Sequence, residues 1–503
     1  MSTSSTSAQA SSSSISVPGG NALILDGILS QVMGSLVGGA FLIGFALALG
    51  ANNFQIGLLA ALPPLGQLMQ IPAVFLIRKV GKRKPVVLGF TALSRLVWLA
   101  IAAIPLVSID AGSFSAVAVL VLLTSGLGTV GGIAWVSWMR DLIPQQIMGR
   151  FFSRRMVFTN SVALVASVAA GWLVDQLAQD GRVPPEGYSL LFAAGAVLGV
   201  IGVLVLAKVP EPPSPEQDES SLMETLKGLA EPLRDSHFRS LMTFSLAWTF
   251  VITFAAPFYV VYMLERIGLP LFQVIIISAV GQGVSVLFVQ FWGAMSDRFS
   301  NKSVLGAAGL ILVIAIFGWT FTTLPERYFF TLPLLFILHA AMGLAMGGIA
   351  LASGNISMKL SPMGRAEAYL AVLGMVNAIA AFFSPLIAGI LASFFATKEL
   401  ALNFSWRDTD AGSVLAIPTF NLRGLDFLFL ITFILGLYAL HRLAFVNEEG
   451  SVDERVVLEE LREEIADSVR SIASFSAMRQ VITFSLSGVS SVSRTLRDRA
   501  RQQ

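Results

Sequence analysis

Twelve separate runs of predominantly apolar residues divide this chain, and each has the roughly 20-residue length that an α-helix needs to cross a bilayer. The first six cover about residues 27–49, 54–77, 85–107, 114–138, 156–176 and 188–208. The second six cover about 239–264, 270–294, 302–324, 328–353, 366–395 and 424–445. Composition agrees, because 55% of residues are hydrophobic and only 13% charged. Soluble domains carry roughly 25% charged residues, and without that charge a water-facing surface cannot be covered. The expected fold class is an all-α polytopic membrane protein, with twelve transmembrane helices in two six-helix bundles.

The polar segments between these runs set the expected organisation. Residues 1–23 form a Ser/Thr/Ala-rich tail that reads as disordered and lacks the charged-then-apolar order of a signal peptide. Residues 24–208 make the first bundle and 239–446 the second. The linker, 209–238, opens with Pro210-Glu211-Pro212-Pro213 and is too polar for lipid. Positive loops stay cytoplasmic. One set of loops carries Arg78, Lys79, Lys82, Arg83, Lys84, Arg140, Arg150, Arg154, Arg155, Lys208, Lys227, Arg234, Arg239, Arg298, Lys302, Lys359 and Arg365. The alternate loops hold only Arg182, Arg266, Arg327, Lys398, Arg407 and Arg423, so both termini are expected in the cytoplasm.

The chain also repeats itself with a period near 217. Phe54-Gln55 matches Phe272-Gln273, and Val87-Leu88-Gly89 matches Val304-Leu305-Gly306. Gly131-Gly132-Ile133-Ala134 returns as Gly347-Gly348-Ile349-Ala350, Asn160 as Asn377, and Ala170-Gly171 as Ala388-Gly389. Every match falls at an offset of 215 to 218 and in an equivalent helix. Six spans separate the copies, so the halves share one topology, as parallel repeats that rock about a midplane site do.

Cysteine is absent and the three histidines are far apart, so no metal site and no cofactor are expected. No phosphate loop, nucleotide fingerprint or triad spacing appears, which argues against an ATP-driven pump and against an enzyme. The charges sit in short blocks between apolar runs, so the net charge of +2 gives no reason to expect nucleic acid.

Residues 24–446 resemble the major facilitator superfamily. Its signature loop is echoed in Gly293-Ala294-Met295-Ser296-Asp297-Arg298-Phe299-Ser300-Asn301-Lys302 after span eight. The resemblance implies that Gly293 permits close helix approach and that Asp297 and Arg298 act at a neighbouring helix start, here span five with Arg154 and Arg155. The first copy keeps Gly81 and its basic neighbours but has Arg78 where the family has an acid. A charge-exchanged latch is then expected between Arg78 or Lys79 and Glu367 at the start of span eleven. The loop from Asp141 to Phe152 resembles bacterial members, which implies a bacterial inner membrane.

Polar groups at depth are the functional candidates. Arg95 lies eleven residues into its run, about 15 Å from the cytoplasmic end at 1.5 Å per residue. It is read either as an anion or ion-pair contact or as a structural contact to span two. In relatives, spans one, four, seven and ten line the cavity, which implicates Gln31, Ser35, Thr124, Thr129, Trp135, Thr249, Thr253, Tyr259, His339 and Asn355. Tyr262 reads as an interface anchor near the outer end. Asp26, Asp175, Glu367 and Asp426 sit near run ends, so no buried coupling carboxylate is expected.

After the last run, residues 447–503 place Val457, Leu461, Ile465, Val469 and Ile472 at helical spacing, an amphipathic tail. The expected function is secondary transport of a small solute by alternating access, with coupling to a proton or other ion left open. The expected partners are the bilayer and that solute, and the expected state is a monomer. The rival is a non-transporting sensor or assembly factor of the same fold, acting through its tail.

Overall fold

A computed structural model describes residues 17–107, 112–179, 181–212, 230–323, 326–362, 365–407, 414–448 and 455–463. Most of the expected N-terminal tail, the middle of the linker and the tail beyond residue 463 lie outside the described residues. Among the described residues, twelve helices are long and apolar enough to span a bilayer: α1 (Gly20–Ala48), α2 (Asn53–Val80), α3 (Arg83–Val107), α4 (Ser113–Leu142), α5 (Ile147–Asp175) and α6 (Pro185–Leu206), then α7 (Ser236–Arg266), α8 (Leu271–Arg298), α9 (Asn301–Phe321), α10 (Thr331–Lys359), α11 (Ala368–Phe395) and α12 (Asp426–Ala444). All twelve expected spans are present. Several reach further than their apolar runs, because a helix can continue past the apolar stretch wherever its polar side chains find water or partners inside the bundle. Thus α1 starts at Gly20 rather than near 27, and α5 at Ile147 rather than near 156.

Local chemistry explains the irregular points. In α2, Pro63 and Pro64 remove amide donors, and the helix tightens to a 3₁₀ turn over Gln67–Met69. It stops at Gly81, whose φ of 71° closes the helix by donating to Ile77 O at 3.0 Å. Helix α1 is interrupted at the extended Gly38, and α7 ends in a π turn over Tyr262–Arg266.

The faces are named here by the chain: the terminal face carries the starts of α1 and α7 and the ends of α6 and α12, the distal face the opposite helix ends. Toward the terminal face each bundle has its own apolar core. Leu23, Val86, Trp138 and Leu142 belong to the first, and Trp292, Val304, Ile349 and Leu443 to the second. Toward the distal face one core joins both, bringing Phe45, Ile56 and Val174 against Phe254, Phe258, Leu271, Ile275 and Ala388.

The α11–α12 connection holds a hairpin that the sequence reading did not include: β1 (Glu399–Arg407) pairs antiparallel with β2 (Val414–Arg423). Its register shifts between Leu402 and Asn403, opposite Pro418, a residue strands accept at such irregularities.

Candidate functional site

Two pseudo-symmetric seams hold the bundles together at the distal face. At the first, α2 crosses α11 so closely that a Cβ on Gly57 would stand 2.2 Å from Pro385 O, and one on Gly389 2.9 Å from Asn53 O. At the second, α5 crosses α8, where a Cβ on Gly171 would meet Ile275 Cδ1 at 2.5 Å. Gly171 and Gly389 belong to the repeated Ala-Gly pair, so the repeat marks both crossings. Asp175 Oδ2 also accepts a hydrogen bond from Phe272 N at 2.9 Å across the second seam. The terminal halves of α1 and α2 pack within their own bundle, and toward the terminal face the apolar cores of the two bundles are separate.

Inside the first bundle lies a charged cluster. Asp26 is 3% exposed and Arg95 8%. Arg95 Nη2 stands 3.6 Å from Asp26 Oδ1, and Ser30 bridges them, accepting from Arg95 Nη2 at 2.5 Å and donating to Asp26 at 3.2 Å. Arg95 Nη1 donates to Gly199 O. Arg155 enters from α5, donating through Nε to Leu23 O at 3.2 Å while its guanidinium lies 5.0 Å from the Trp135 ring centroid. A Cβ at residue 27 would meet that guanidinium at 2.5 Å, which Gly27 avoids. Of its two readings Arg95 takes the ion-pair one, contacting α1 and α6 rather than span two. One expectation is corrected: Asp26 is a buried carboxylate, because α1 begins before its apolar run.

The other candidates separate by environment. Gln31 is exposed on α1, and Ser35 donates to Gln31 O at 3.0 Å. Thr129 donates to Ser125 O at 3.0 Å and Thr253 to Thr249 O at 2.8 Å, each within its own helix. Asn355 and Thr249 are half-buried on α10 and α7. Thr124 is instead buried against α3, exchanging hydrogen bonds with Ser94 at 2.8–2.9 Å, and is a packing residue. Tyr259 stacks with Phe429 at 5.2 Å and leans on Trp319 at 4.6 Å in a distal aromatic cluster. His339 Nδ1–H donates to Leu335 O of its own helix at 3.0 Å, with its ring 5.3 Å from Trp319. Tyr262 is not an interface anchor, for it is fully buried and bonded to Thr323 at 3.0 Å. Asn377 Oδ1 accepts from Ser245 at 2.8 Å, joining α11 to α7.

The residues expected to form a latch at the terminal face occupy separate environments. Asp297 is exposed, while Arg155 turns into its own bundle and Arg154 lies over Phe158. Arg298 pairs with Glu460 of the tail at 2.6 Å. Gly293 has only an ordinary 3.8 Å neighbour at its Cβ position, so no close helix approach requires it. Lys79 is exposed and Arg78 half-buried, and the side chain of Glu367 lies outside the described residues. Nearby Arg365 pairs with Glu231 of the linker.

In each bundle a carboxylate just after the last helix clasps the start of the third. Glu211 Oε1 accepts from Arg83 N at 2.6 Å and Lys84 N at 3.0 Å, and Lys84 Nζ donates to Val209 O at 2.8 Å. Glu448 accepts from Lys302 N at 2.7 Å, Asn301 Nδ2 at 2.8 Å and Lys359 Nζ at 2.9 Å, and Lys302 Nζ donates to Ala444 O at 3.0 Å. Burial alone would raise the Glu448 carboxyl, but the Asn301, Lys359 and Lys302 donors outweigh it and hold it below its ordinary value. The signal is Val209-Pro210-Glu211 beside Val446-Asn447-Glu448, with both valines fully buried. The tail continues this docking: residues 455–463 are helical and bury Val457 and Leu461 in the second core.

Twelve spanning helices in two repeated six-helix bundles, sharing one apolar core at one face and holding separate cores at the other, define the class as a polytopic membrane transport fold. A model of the Major Facilitator Superfamily matches residues 23–385, and the chain belongs to that superfamily. Among solved structures, the nucleoside transporter NupG aligns at a TM-score of 0.63 and 15% identity, covering 85% of this chain and 99% of its own. The xylose transporter XylE from E. coli, in an inward open conformation, aligns at 0.60 and 15%, covering 87% and 97%. A bacterial homologue of the human lysosomal transporter Spinster aligns at 0.55 and 16%, covering 85% and 94%. A search of curated protein sequences returned no match.

Proposed function

We propose that this protein is a secondary transporter that moves a small solute by alternating access, without enzymatic chemistry. The observation that carries this reading is the division of its apolar cores: shared at the distal face, separate at the terminal face. Such a body reaches its opposite state by rocking one bundle on the other about a midplane site. The candidate solute contacts are Gln31, Ser35, Thr129, Trp135, Thr249, Thr253 and Asn355. Positive charge concentrates on the terminal face, which supports placing that face in the cytoplasm and the conformation as inward-open, in a bacterial inner membrane. Asp26 between Arg95 and Arg155 is the carboxylate suited to proton coupling, since a proton there rewrites a buried charge balance.

The test is uptake into proteoliposomes over sugars, nucleosides, amino acids, organic anions and drugs, with and without a pH gradient. Accumulation of one class, abolished or uncoupled by Asp26→Asn, is expected. Flux of no class in either direction would reject the reading. The docked tail helix favours one second reading, a sensor acting through that tail. Removal of residues 450–503 separates them, because transport unchanged by the truncation leaves the sensor without its output.

A further inference from the structure

The alternating-access reading requires the distal seams to open, and the two seams differ in what holds them. At the start of a helix the first amides have no partner within it. Helix α2 supplies its own: Asn52 Oδ1 accepts from Gln55 N at 2.9 Å, and Gln55 Oε1 accepts from Asn52 N at 2.8 Å. Helix α8, its repeat, follows Pro270 and has no side-chain cap of its own. The cap comes from the other bundle, where Asp175 at the end of α5 accepts from Phe272 N at 2.9 Å. The repeat mate of Asp175 is Ser393, whose hydroxyl turns back to Gly389 O of its own helix at 2.9 Å. The α2–α11 seam is thus described by backbone packing, and the α5–α8 seam by packing plus a charged cap.

We propose that Asp175 is a distal gate residue: a carboxylate of one bundle that caps α8 of the other, whose bond must break before the cavity opens at the distal face. A carboxylate at a helix start gains from both the amide bond and the helix dipole. Asp175 lines a distal cavity of about 460 Å³ with Gln179, Arg182, Tyr188, Glu265 and Leu271. The cavity gives water room to solvate both partners when they part. Gate opening rests on the alternating-access reading, and the residue that controls it is assigned independently of any substrate.

The chain contains no cysteine, so one introduced thiol reports without background. Gly34→Cys suits this, being exposed on α1 with open space at its Cβ. The full chain in oriented vesicles is treated with a membrane-impermeant maleimide from each side in turn. Asp175→Ala is expected to raise distal labelling about tenfold, the scale of one hydrogen bond to a charged group, and to lower terminal labelling. Asp175→Asn, which keeps an acceptor, should fall between. Adding Pro270→Ser gives α8 its own cap, so distal labelling that stays raised in the double variant supports an inter-bundle gate. A return to the parent level would assign Asp175 to the folding of α8 and overturn the proposal. Parent labelling from both sides with Asp175→Ala unchanged would overturn it alone. Absence of distal labelling in parent and variant alike would overturn both it and alternating access.

Discussion

Substituting Arg95→Met leaves Asp26 buried with one nearby cation in place of two, and the structure sets the size of the result. At 3.6 Å and an effective dielectric of 20, the direct attraction is roughly 4–5 kcal/mol. Both side chains are below 10% exposed, so solvent screens little of it. Losing one partner of a buried pair costs about 3–5 kcal/mol, mostly from the orphaned charge. Arg155 remains within reach of Asp26 and offsets part of this, so about 3 kcal/mol of destabilisation is expected for Arg95→Met. Adding Asp26→Asn removes the orphan while keeping a polar partner for Ser30, and should recover about 2 kcal/mol. Equilibrium unfolding of the parent, both single variants and the double variant in mixed micelles gives the coupling energy directly. A double variant no more stable than Arg95→Met, or an Arg95→Met indistinguishable from the parent, would refute the reasoning.

Three further outcomes are expected. Glu448 has its folded pKa held below its ordinary 4.5, so its stabilisation is present above the unfolded value and disappears as pH falls through the folded one. Melting temperature against pH should therefore drop below about pH 4.5 in the parent, and Glu448→Gln should be less stable at neutral pH with a shallower acid limb. Gly57→Ala places a Cβ 2.2 Å from Pro385 O; overpacking costs about 1–3 kcal/mol, and pulsed-EPR distances between labels on α2 and α11 should lengthen at the distal face. Leu461→Asp should release the 455–463 helix, seen as faster amide exchange there. Glu460→Ala, whose pair with Arg298 is 57% and 35% exposed, should change that exchange far less, because surface pairs contribute about 0–1 kcal/mol.

Much of the architecture is legible in the sequence because lipid demands long apolar runs and the repeat keeps its period. The Ala170-Gly171 and Ala388-Gly389 match even marks the two distal crossings. Asp26 is misread for a physical reason: its helix starts before the apolar run does, so a residue at the edge of the run lies two turns inside the helix. Arg95 announces itself as a charge in an apolar run, but its partner comes from α1, a tertiary fact that no local pattern carries. The paired clasps escape the repeat search because Glu211 and Glu448 are 237 apart, the β1–β2 hairpin having lengthened the second half. Within that hairpin, Leu400, Leu402, Phe404 and Trp406 do alternate with polar or small residues, a period-two signal overshadowed by the neighbouring apolar runs.

The two clasps bear on how such a chain is made. Glu211 ties the residues after α6 to the start of α3, so the first six helices close upon themselves before any of α7 is needed. Glu448 does the same for the second six, and its donors include Lys359 from α10. Each half thus carries its own fastening, placed at the last residues of that half to leave the ribosome. The fastening of each half at the terminal face is local to that half, whereas the distal core is completed only when both are present.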